Sequence, residues 1–262
     1  MFTDFFVKRD SLSFNGYQII KLHKSVKLEG VKADVSYLML KRKGRAIARF
    51  DGLYHPAGNG TDFGLCSLLG GQSKQLLVSK TIPRSGRHWI VDLTSDARVL
   101  FDSYDYNLGR EEVFLMDVDK DGVSEIGLLL TAFWGFASLS PSQHEVLPMI
   151  VFKYDRRSRK YLPANPVYSG ELHGIAEEAS AVDPGEQPGA SIPIEYLGKR
   201  LGIFLRYVYG GKREEGWTFF NKTYNLGDKN EMKAKIKRRL EREPIYKFIY
   251  RHQLKSQRTL DH

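Results

Sequence analysis

The chain has 262 residues, of which 42% are hydrophobic and 12% aromatic, so it can bury a core and is not a largely disordered protein. Its longest nearly uncharged apolar run, residues 126–137, is shorter than the roughly 20 residues that a membrane-spanning helix needs. The single cysteine, Cys66, excludes an internal disulfide and a paired-cysteine metal or redox site. The first ten residues do not have the pattern of a secretory signal, so we expect no signal peptide in this chain.

The net charge of +9 is distributed unevenly along the chain. Residues 221–262 contain 12 lysines and arginines against 5 acidic residues, so seven of the nine net positive charges lie in this segment. The first 220 residues are nearly neutral. A basic C-terminal segment is therefore the only electrostatic indication of a nucleic-acid or anionic membrane partner.

Short runs of β-branched and aromatic residues, separated by turn residues, extend from Ser11 to about Tyr168 and predict strands. Asn15-Gly16 lies between two such runs and favours a two-residue hairpin turn. Further hairpins are predicted for residues 35–40 with 46–50, residues 89–93 with 98–101, and residues 149–154 with 160–162. The glycine-rich residues 52–71 are expected to form a loop or an irregular strand. We take residues 1–175 as a β domain.

Residues 176–193 combine three prolines, two glycines and four acidic residues, which predicts an internal loop or linker. After it, the apolar and aromatic residues at 194–209 and 216–224 predict further strands, with Gly210-Gly211 as the turn between them. We expect residues 194–227 to continue the same β domain.

The remaining residues, 228–262, are expected to be a basic helical tail. Asp228 can cap a helix whose apolar stripe is Met232, Ile236 and Leu240, and Pro244 should end it before a second helix over residues 245–254. The basic residues of the first helix are candidates for binding nucleic acid or an anionic membrane surface; they are Lys233, Lys235, Lys237, Arg238, Arg239 and Arg242. A solvated helix face, with the apolar stripe docked on the sheet, explains the same charges, and we favour this interpretation.

One motif carries recognisable chemistry. Residues 117–125 place Asp117, Asp119, Asp121 and Glu125 at positions 1, 3, 5 and 9 of a loop, with Gly122 at position 6. Alternating carboxylates on a tightly turned loop supply the hard oxygen ligands that Ca²⁺ prefers. Position 12 is a leucine rather than the glutamate of an EF-hand, and the apolar residues at 113–116 and 126–130 favour strands on both sides. The motif therefore predicts a strand-loop-strand calcium site.

Residues 112–162 resemble the short calcium loops of FG-GAP, VCBS and integrin-α type β repeats, whose pattern is Asp-x-Asp-x-Asp-Gly-x-x-Asp. Glu125 stands in place of the last aspartate. The resemblance implies that Asp117, Asp119, Asp121 and Glu125 bind calcium through side-chain oxygens and Val123 through its carbonyl. The chain is too short for a full propeller with blades of about 40 residues. We therefore expect a mainly β fold, a β-sandwich or a partial propeller-like sheet, with a basic helical C-terminal segment.

These observations favour a calcium-binding β-rich binding or interaction module, with a structural Ca²⁺ and another protein as one class of partner. A calcium site would favour a location outside the cytoplasm. Two alternatives remain open: binding of an anionic partner through the basic helix, and a hydrolase with a site near the calcium loop. For the hydrolase, the acid pair Asp102 and Asp105, near Arg110, Glu111 and Glu112, could form the site with His88 as a base. His88, Trp89 and His55 could separately help to line a pocket, although a packed histidine beside a tryptophan is the simpler interpretation. The alternative to calcium at the loop itself is a solvated acidic turn, because Asp and Gly are common in turns, but four acids so close together would repel one another without a cation.

Overall fold

The computed structural model describes residues 11–28, 31–50, 60–82, 85–94, 96–108, 113–139, 147–168, 174–186 and 193–251. The chain divides into two compact units. One comprises residues 1–126 and 153–162, and the other comprises residues 127–152 and 163–262.

The described residues contain twelve strands in three antiparallel sheets of four strands each. The first sheet contains β1 (Ser11–Phe14), β2 (Tyr17–Leu28), β3 (Val31–Arg42) and β4 (Arg45–Phe50). The second contains β5 (Gly60–Cys66), β6 (Gln75–Ile82), β7 (Ser85–Asp92) and β8 (Arg98–Asp102). The third contains β9 (Phe114–Met116), β10 (Glu125–Leu129), β11 (Met149–Asp155) and β12 (Lys160–Pro163). Strands that follow one another in the chain are neighbours in each sheet, so all three are simple meanders.

The predicted hairpins are confirmed. β1 pairs with β2 around Asn15 and Gly16, whose φ angles of +49° and +76° form the turn that the Asn-Gly pair predicts. Lys43 and Gly44 repeat this geometry between β3 and β4. The predicted pairs in residues 89–101 and 149–162 correspond to β7 with β8 and β11 with β12.

The first two sheets contribute side chains to one hydrophobic core in the first unit. Its buried members are Tyr17, Ile19, Leu38, Leu40 and Phe50 from the first sheet and Phe63, Leu76, Val78, Trp89, Val91 and Leu93 from the second sheet and the residue that follows β7. The rings of Phe50 and Trp89 meet edge to face with centroids 5.4 Å apart. Burial of this apolar surface is the main stabilising contribution within the unit.

Two features of the second sheet differ from the expectation. The glycine-rich segment 52–71 includes a regular strand, β5, although residues 51–59 lie outside the described residues. β6, in which residues 75–80 are all buried, was not among the predicted strands. A central strand that is buried on both faces lacks the polar and apolar alternation by which strands are recognised.

The expected strands at 194–209 and 216–224 are wrong, because both segments are helical. The helices are α1 (Ile175–Ser180), α2 (Pro193–Tyr209), α3 (Arg213–Thr223), α4 (Lys229–Leu240) and α5, residues 244–251. Leu197, Leu201, Phe204 and Val208 are buried along α2 at spacings of three and four, which is the period of a helix. The loop expected at 176–193 is also wrong in part, since residues 176–180 belong to α1.

The fold class is therefore mixed rather than mainly β. About a third of the chain is helical and a similar share is strand, and the described strands close into neither a barrel nor a propeller. The helices follow the last strand, so strands and helices are segregated along the sequence as in α+β proteins.

Helices α2 and α3 pack closely through an aromatic cluster. The ring of Phe204 lies 4.5 Å from Trp217 and 5.6 Å from Phe220, measured between centroids. Gly216 sits at the crossing, where a Cβ atom would lie 3.1 Å from the Cβ of Tyr207. The absence of a side chain at Gly216 allows this approach.

Arg200 on α2 is fully buried and is held by groups from three segments. Its Nε donates to the Thr223 carbonyl at 2.8 Å, and its Nη1 donates to the Tyr196 carbonyl at 3.2 Å. Its Nη2 donates to Glu186 at 2.9 Å and to the Asp183 carbonyl at 3.4 Å. These bonds offset the cost of removing a guanidinium from water and tie residues 183–186 to α2 and to the end of α3.

The predicted helix after Asp228 is confirmed as α4, in which Met232, Ile236 and Leu240 are buried. Asp228 occupies the N-cap position, but its Oδ1 accepts a hydrogen bond from the Tyr224 hydroxyl at 2.9 Å instead of capping the helix. The second predicted helix corresponds to α5 up to residue 251. Residues 252–254 of that prediction lie outside the described part of the chain.

Glu243, which precedes α5, is a buried carboxyl group. Its Oε2 accepts hydrogen bonds from the Tyr246 amide at 2.7 Å and from the Tyr209 hydroxyl at 3.2 Å. In the described structure its Oε1 has no hydrogen-bond partner. Burial raises the pKa of Glu243 above the ordinary value of a glutamate, against the opposing effect of the hydrogen bonds.

We expect Glu243→Gln to stabilise the protein at neutral and alkaline pH. Because its pKa is higher in the folded than in the unfolded state, Glu243 costs stability as the pH rises from the ordinary pKa of about 4.3 through the raised value. Glutamine keeps an acceptor oxygen and does not ionise, so the variant should gain over the parent above the raised pKa and match it near pH 4. Urea denaturation from pH 4 to pH 8 measures this difference. The exposed Glu241→Gln serves as the control, and parallel pH curves for parent and Glu243→Gln would contradict the expectation.

Candidate metal centre

The acidic loop, residues 117–125, connects β9 to β10, so the predicted strand-loop-strand arrangement is confirmed. Its backbone turns sharply, with Lys120 at a φ of +59° and Gly122 at +80°. Gly122 occupies the sixth position of the motif, where the spacing predicted a residue that tolerates positive φ. The turn folds the two halves of the loop towards each other.

Three of the predicted ligands converge. Asp117, Asp119 and Glu125 each offer one carboxylate oxygen, and these oxygens all lie within 4.8 Å of one another. Oxygens on opposite sides of a Ca²⁺ ion, each at about 2.3 to 2.6 Å, are about 5 Å apart. The three oxygens can therefore share one calcium ion.

Carboxylates of the loop also bind its own backbone. Asp117 Oδ2 accepts from the Gly122 amide at 3.1 Å, and Asp121 Oδ1 accepts from the Val123 amide at 2.8 Å. Glu125, which is 0% exposed, accepts at Oε2 from the amide of Val118 at 2.8 Å. These hydrogen bonds from backbone N–H groups to carboxylates hold the loop in its curled form. Asp121 is not one of the three residues whose oxygens converge.

Lys153 on β11 places its ammonium against the acidic loop. Its Nζ contacts Asp119 directly and lies 3.5 Å from Asp121 and 3.8 Å from Glu125. Carboxylates so close together repel one another unless a cation is present, and Lys153 provides that positive charge within the chain. Lys153 was not among the residues predicted to take part in the site. Its place on a strand 28 residues after Glu125 gives no local signal of this contact.

A second loop of the first unit, residues 68–74, lies against the acidic loop, which belongs to the same unit. The Ser124 amide donates to the Leu68 carbonyl at 2.8 Å, and the Leu68 amide donates to Gln75 Oε1 at 2.8 Å. Gln75 is fully buried at the start of β6. Gly70 has a φ of +75°, and a Cβ atom there would lie 2.9 Å from the Gly122 carbonyl oxygen. The acidic loop is thus anchored to β6 through one buried side chain.

Tyr161 on β12 fixes the end of the acidic loop. Its hydroxyl donates to the Ser124 carbonyl at 3.1 Å, and its ring lies 5.5 Å from that of Tyr154. Burial, with smaller contributions from neighbouring acids including Glu125 and Asp121, raises the pKa of Tyr161 far above the ordinary tyrosine value. The phenol therefore stays protonated and acts as a donor throughout the physiological pH range.

Two of the residues proposed for a hydrolase site, Asp102 and His88, are bound to other groups in the structure. Asp102 accepts from Arg87 Nε at 2.9 Å and from the Tyr104 amide at 3.0 Å. His88 is buried, with Nδ1 at 2.9 Å from Ser79 Oγ. Burial raises the pKa of the Cys66 thiol to about 12, so it is not a nucleophile at neutral pH. Of the remaining candidates, Trp89 packs in the core, Asp105 follows β8, and His55, Arg110, Glu111 and Glu112 lie outside the described residues.

The six basic residues of the predicted anion-binding helix have different surroundings. Lys235 pairs with Glu231 at 2.6 Å, and Arg239 donates from Nε to the Ala132 carbonyl. Lys233 and Lys237 line a cavity beside α3. The other two, Arg238 and Arg242, are exposed.

The chain matches no protein-family model, no curated protein and no solved structure. No helix in the described part of the chain is both long enough and apolar enough to cross a membrane.

Replacement of Gly70 by alanine should destabilise the protein more than replacement of Gly71. Both residues have positive φ, which costs an L-residue about 1–2 kcal/mol, but only a Cβ at position 70 meets the Gly122 carbonyl. We expect Gly70→Ala to lose a further 1 kcal/mol or so through this overpacking. Urea denaturation of the two variants compares them directly. Equal losses would show that the two loops do not touch at Gly70.

Proposed function

We propose that this protein is a calcium-binding β-rich binding module, in which one structural Ca²⁺ ion is held by the acidic loop. The observation that supports this most strongly is the convergence of carboxylate oxygens from Asp117, Asp119 and Glu125 within 4.8 Å on a strand-loop-strand turn. The role is structural because the loop contains no nucleophile, and because the Asp102 and His88 side chains are bound to other residues.

Further ligands complete a calcium shell of six to eight oxygens in this proposal. The resemblance of the loop to FG-GAP and VCBS type repeats assigns a side-chain oxygen to Asp121 and the backbone carbonyl to Val123. Asp121 is 41% exposed at its side chain, so it can turn towards an ion by breaking one bond to the Val123 amide. Water molecules would fill the remaining positions.

Lys153 is the internal competitor of calcium in this proposal. Its ammonium contacts Asp119 and lies 3.8 Å from Glu125, two of the three residues whose oxygens converge. The side chain is 32% exposed and flexible, so it can withdraw into solvent when a divalent ion binds. Calcium carries two positive charges and lysine carries one. The four carboxylates of the loop therefore attract calcium more strongly than they attract the lysine ammonium.

Two parts of the β structure support the proposal of a binding module. The core shared by the first two sheets supports a β-sandwich, and the four-stranded meander β9–β12 carries the calcium loop at its first turn. Tyr104 is half exposed, and the guanidinium of Arg87 lies 4.7 Å from its ring centroid and from that of Trp89. Exposed tyrosine and arginine side chains are typical of protein-binding surfaces, so we propose another protein as the partner.

A calcium-dependent fold suits a location outside the cytoplasm, where calcium is plentiful.

Calcium should raise the melting temperature of the protein relative to EDTA. An ion that binds only the folded state adds RT ln(1 + [Ca²⁺]/Kd), about 2.7 kcal/mol when calcium exceeds Kd by 100-fold. Asp119→Asn should abolish the response. Asp105→Asn, an exposed acid outside the loop, is the control and should respond like the parent. A melting temperature that is the same in EDTA and in millimolar calcium would overturn the proposal.

Replacement of Lys153 by glutamine tests whether the lysine ammonium and calcium compete for the same carboxylates. Without calcium the variant should be less stable than the parent, because the carboxylates lose their counter-ion. Its calcium affinity should rise about fivefold, the factor for one partly exposed ion pair of about 1 kcal/mol. Isothermal titration calorimetry measures the affinity, with the exposed Lys160→Gln on β12 as the control. An unchanged affinity would mean that calcium and Lys153 do not share a site.

A further inference from the structure

A cavity of about 420 Å³ lies in the second unit, lined by residues of α3, α4 and α5 and of the turn between the last two helices. This volume falls in the range of about 300 to 1,000 Å³ that is usual for small-molecule sites. The cavity wall combines basic, acidic and aromatic side chains. None of these residues takes part in the proposed calcium site.

Three basic side chains line the cavity: Arg213 on α3 and Lys233 and Lys237 on α4. The two lysines are one helical turn apart, so they lie on the same side of α4. Among the described residues neither forms an ion pair with a carboxylate, whereas Lys235 on the same helix pairs with Glu231. Two ammonium groups without acidic partners at one wall provide donors for an anion.

Trp217 gives the cavity an aromatic wall. The indole is partly buried, and its centroid lies 4.5 Å from that of Phe204, which holds the ring in place. Lys237 Nζ lies 5.7 Å from the Trp217 ring centroid. The basic and the aromatic groups are therefore adjacent, as they must be to contact one ligand that carries both an anion and a planar ring.

The cavity also contains acceptors. Glu214 is paired with Arg213 at 3.0 Å, and Glu241, Asn221 and Tyr246 also line the cavity. Acidic groups in the wall repel a polymer with continuous negative charge, such as a nucleic-acid backbone or an anionic membrane surface. They suit a small ligand whose hydroxyl and amino groups donate hydrogen bonds away from its anionic group.

We propose that this cavity binds a nucleoside phosphate. Lys233, Lys237 and the remaining N–H groups of Arg213 bind the phosphate oxygens, and the base stacks on Trp217. Glu241 and Asn221 accept from hydroxyl or amino groups of the ligand. The binding is independent of the proposed calcium site, which lies on other residues.

The test uses AMP as the probe and the full chain in EDTA, so that calcium binding plays no part. Isothermal titration calorimetry should show binding of one AMP per chain, and inorganic phosphate alone should bind more weakly because it cannot stack. The double substitution Lys233→Ala with Lys237→Ala should weaken AMP binding about 100-fold, since each charged hydrogen bond contributes about a factor of ten. Lys235→Ala removes the same charge from the same helix outside the cavity and should leave the affinity unchanged.

The Trp217→Phe variant tests the stacking. AMP should quench the fluorescence of the parent protein, and the change should disappear in Trp217→Phe while calorimetry still detects binding. A circular-dichroism melt of each variant without AMP establishes that it is folded. The proposal is overturned if the folded parent does not bind AMP at millimolar concentration or if the double lysine variant binds as well as the parent. It is also overturned if a single-stranded oligonucleotide or an anionic lipid vesicle binds where AMP does not.

Discussion

The arrangement of the candidate site depends on the neutralisation of negative charge in a very short stretch of chain. Four carboxylates occupy nine residues, and one of them, Glu125, is removed from solvent entirely. Such a group is tolerated only when donors and cations surround it. The Val118 amide and the Lys153 ammonium provide them here, which links the acidic loop to β11. The geometry of the loop therefore follows from charge compensation as much as from its turn residues.

The loop is equally constrained by neutral hydrogen bonds beneath it. Gln75 is buried at the start of β6, a central strand of the second sheet, and its amide oxygen accepts from the backbone of Leu68 rather than from another side chain. The Leu68 carbonyl accepts a hydrogen bond from the Ser124 amide, and the Tyr161 hydroxyl donates to the Ser124 carbonyl. Both backbone groups of Ser124 are thus fixed. A loop that is held in this way pre-arranges its acidic side chains, which reduces the ordering cost of binding an ion.

The parts of the fold that local sequence determines were predictable. Asn15-Gly16 specifies its own turn, the alternating acids specify the curled loop, and the buried stripe of α4 repeats at helical spacing. Residues 194–224 misled the prediction because their many apolar and aromatic residues resemble a buried strand, although their burial follows a helical period. The contact of Lys153 with the loop and the cavity beside Trp217 could not be predicted, since each depends on pairing between distant segments.

Arg200 has a consequence for how the second unit assembles. Its guanidinium satisfies carbonyls from residues 183, 196 and 223 at once, and it is fully desolvated. A partly folded state that lacks any one of these segments would bury a charge with too few acceptors or leave it in water. Intermediates of that kind are therefore disfavoured, and the segments gain stability only together. Residues 183–186, α2 and the end of α3 should consequently fold and unfold together, with no stable form in which residues 183–186 are detached.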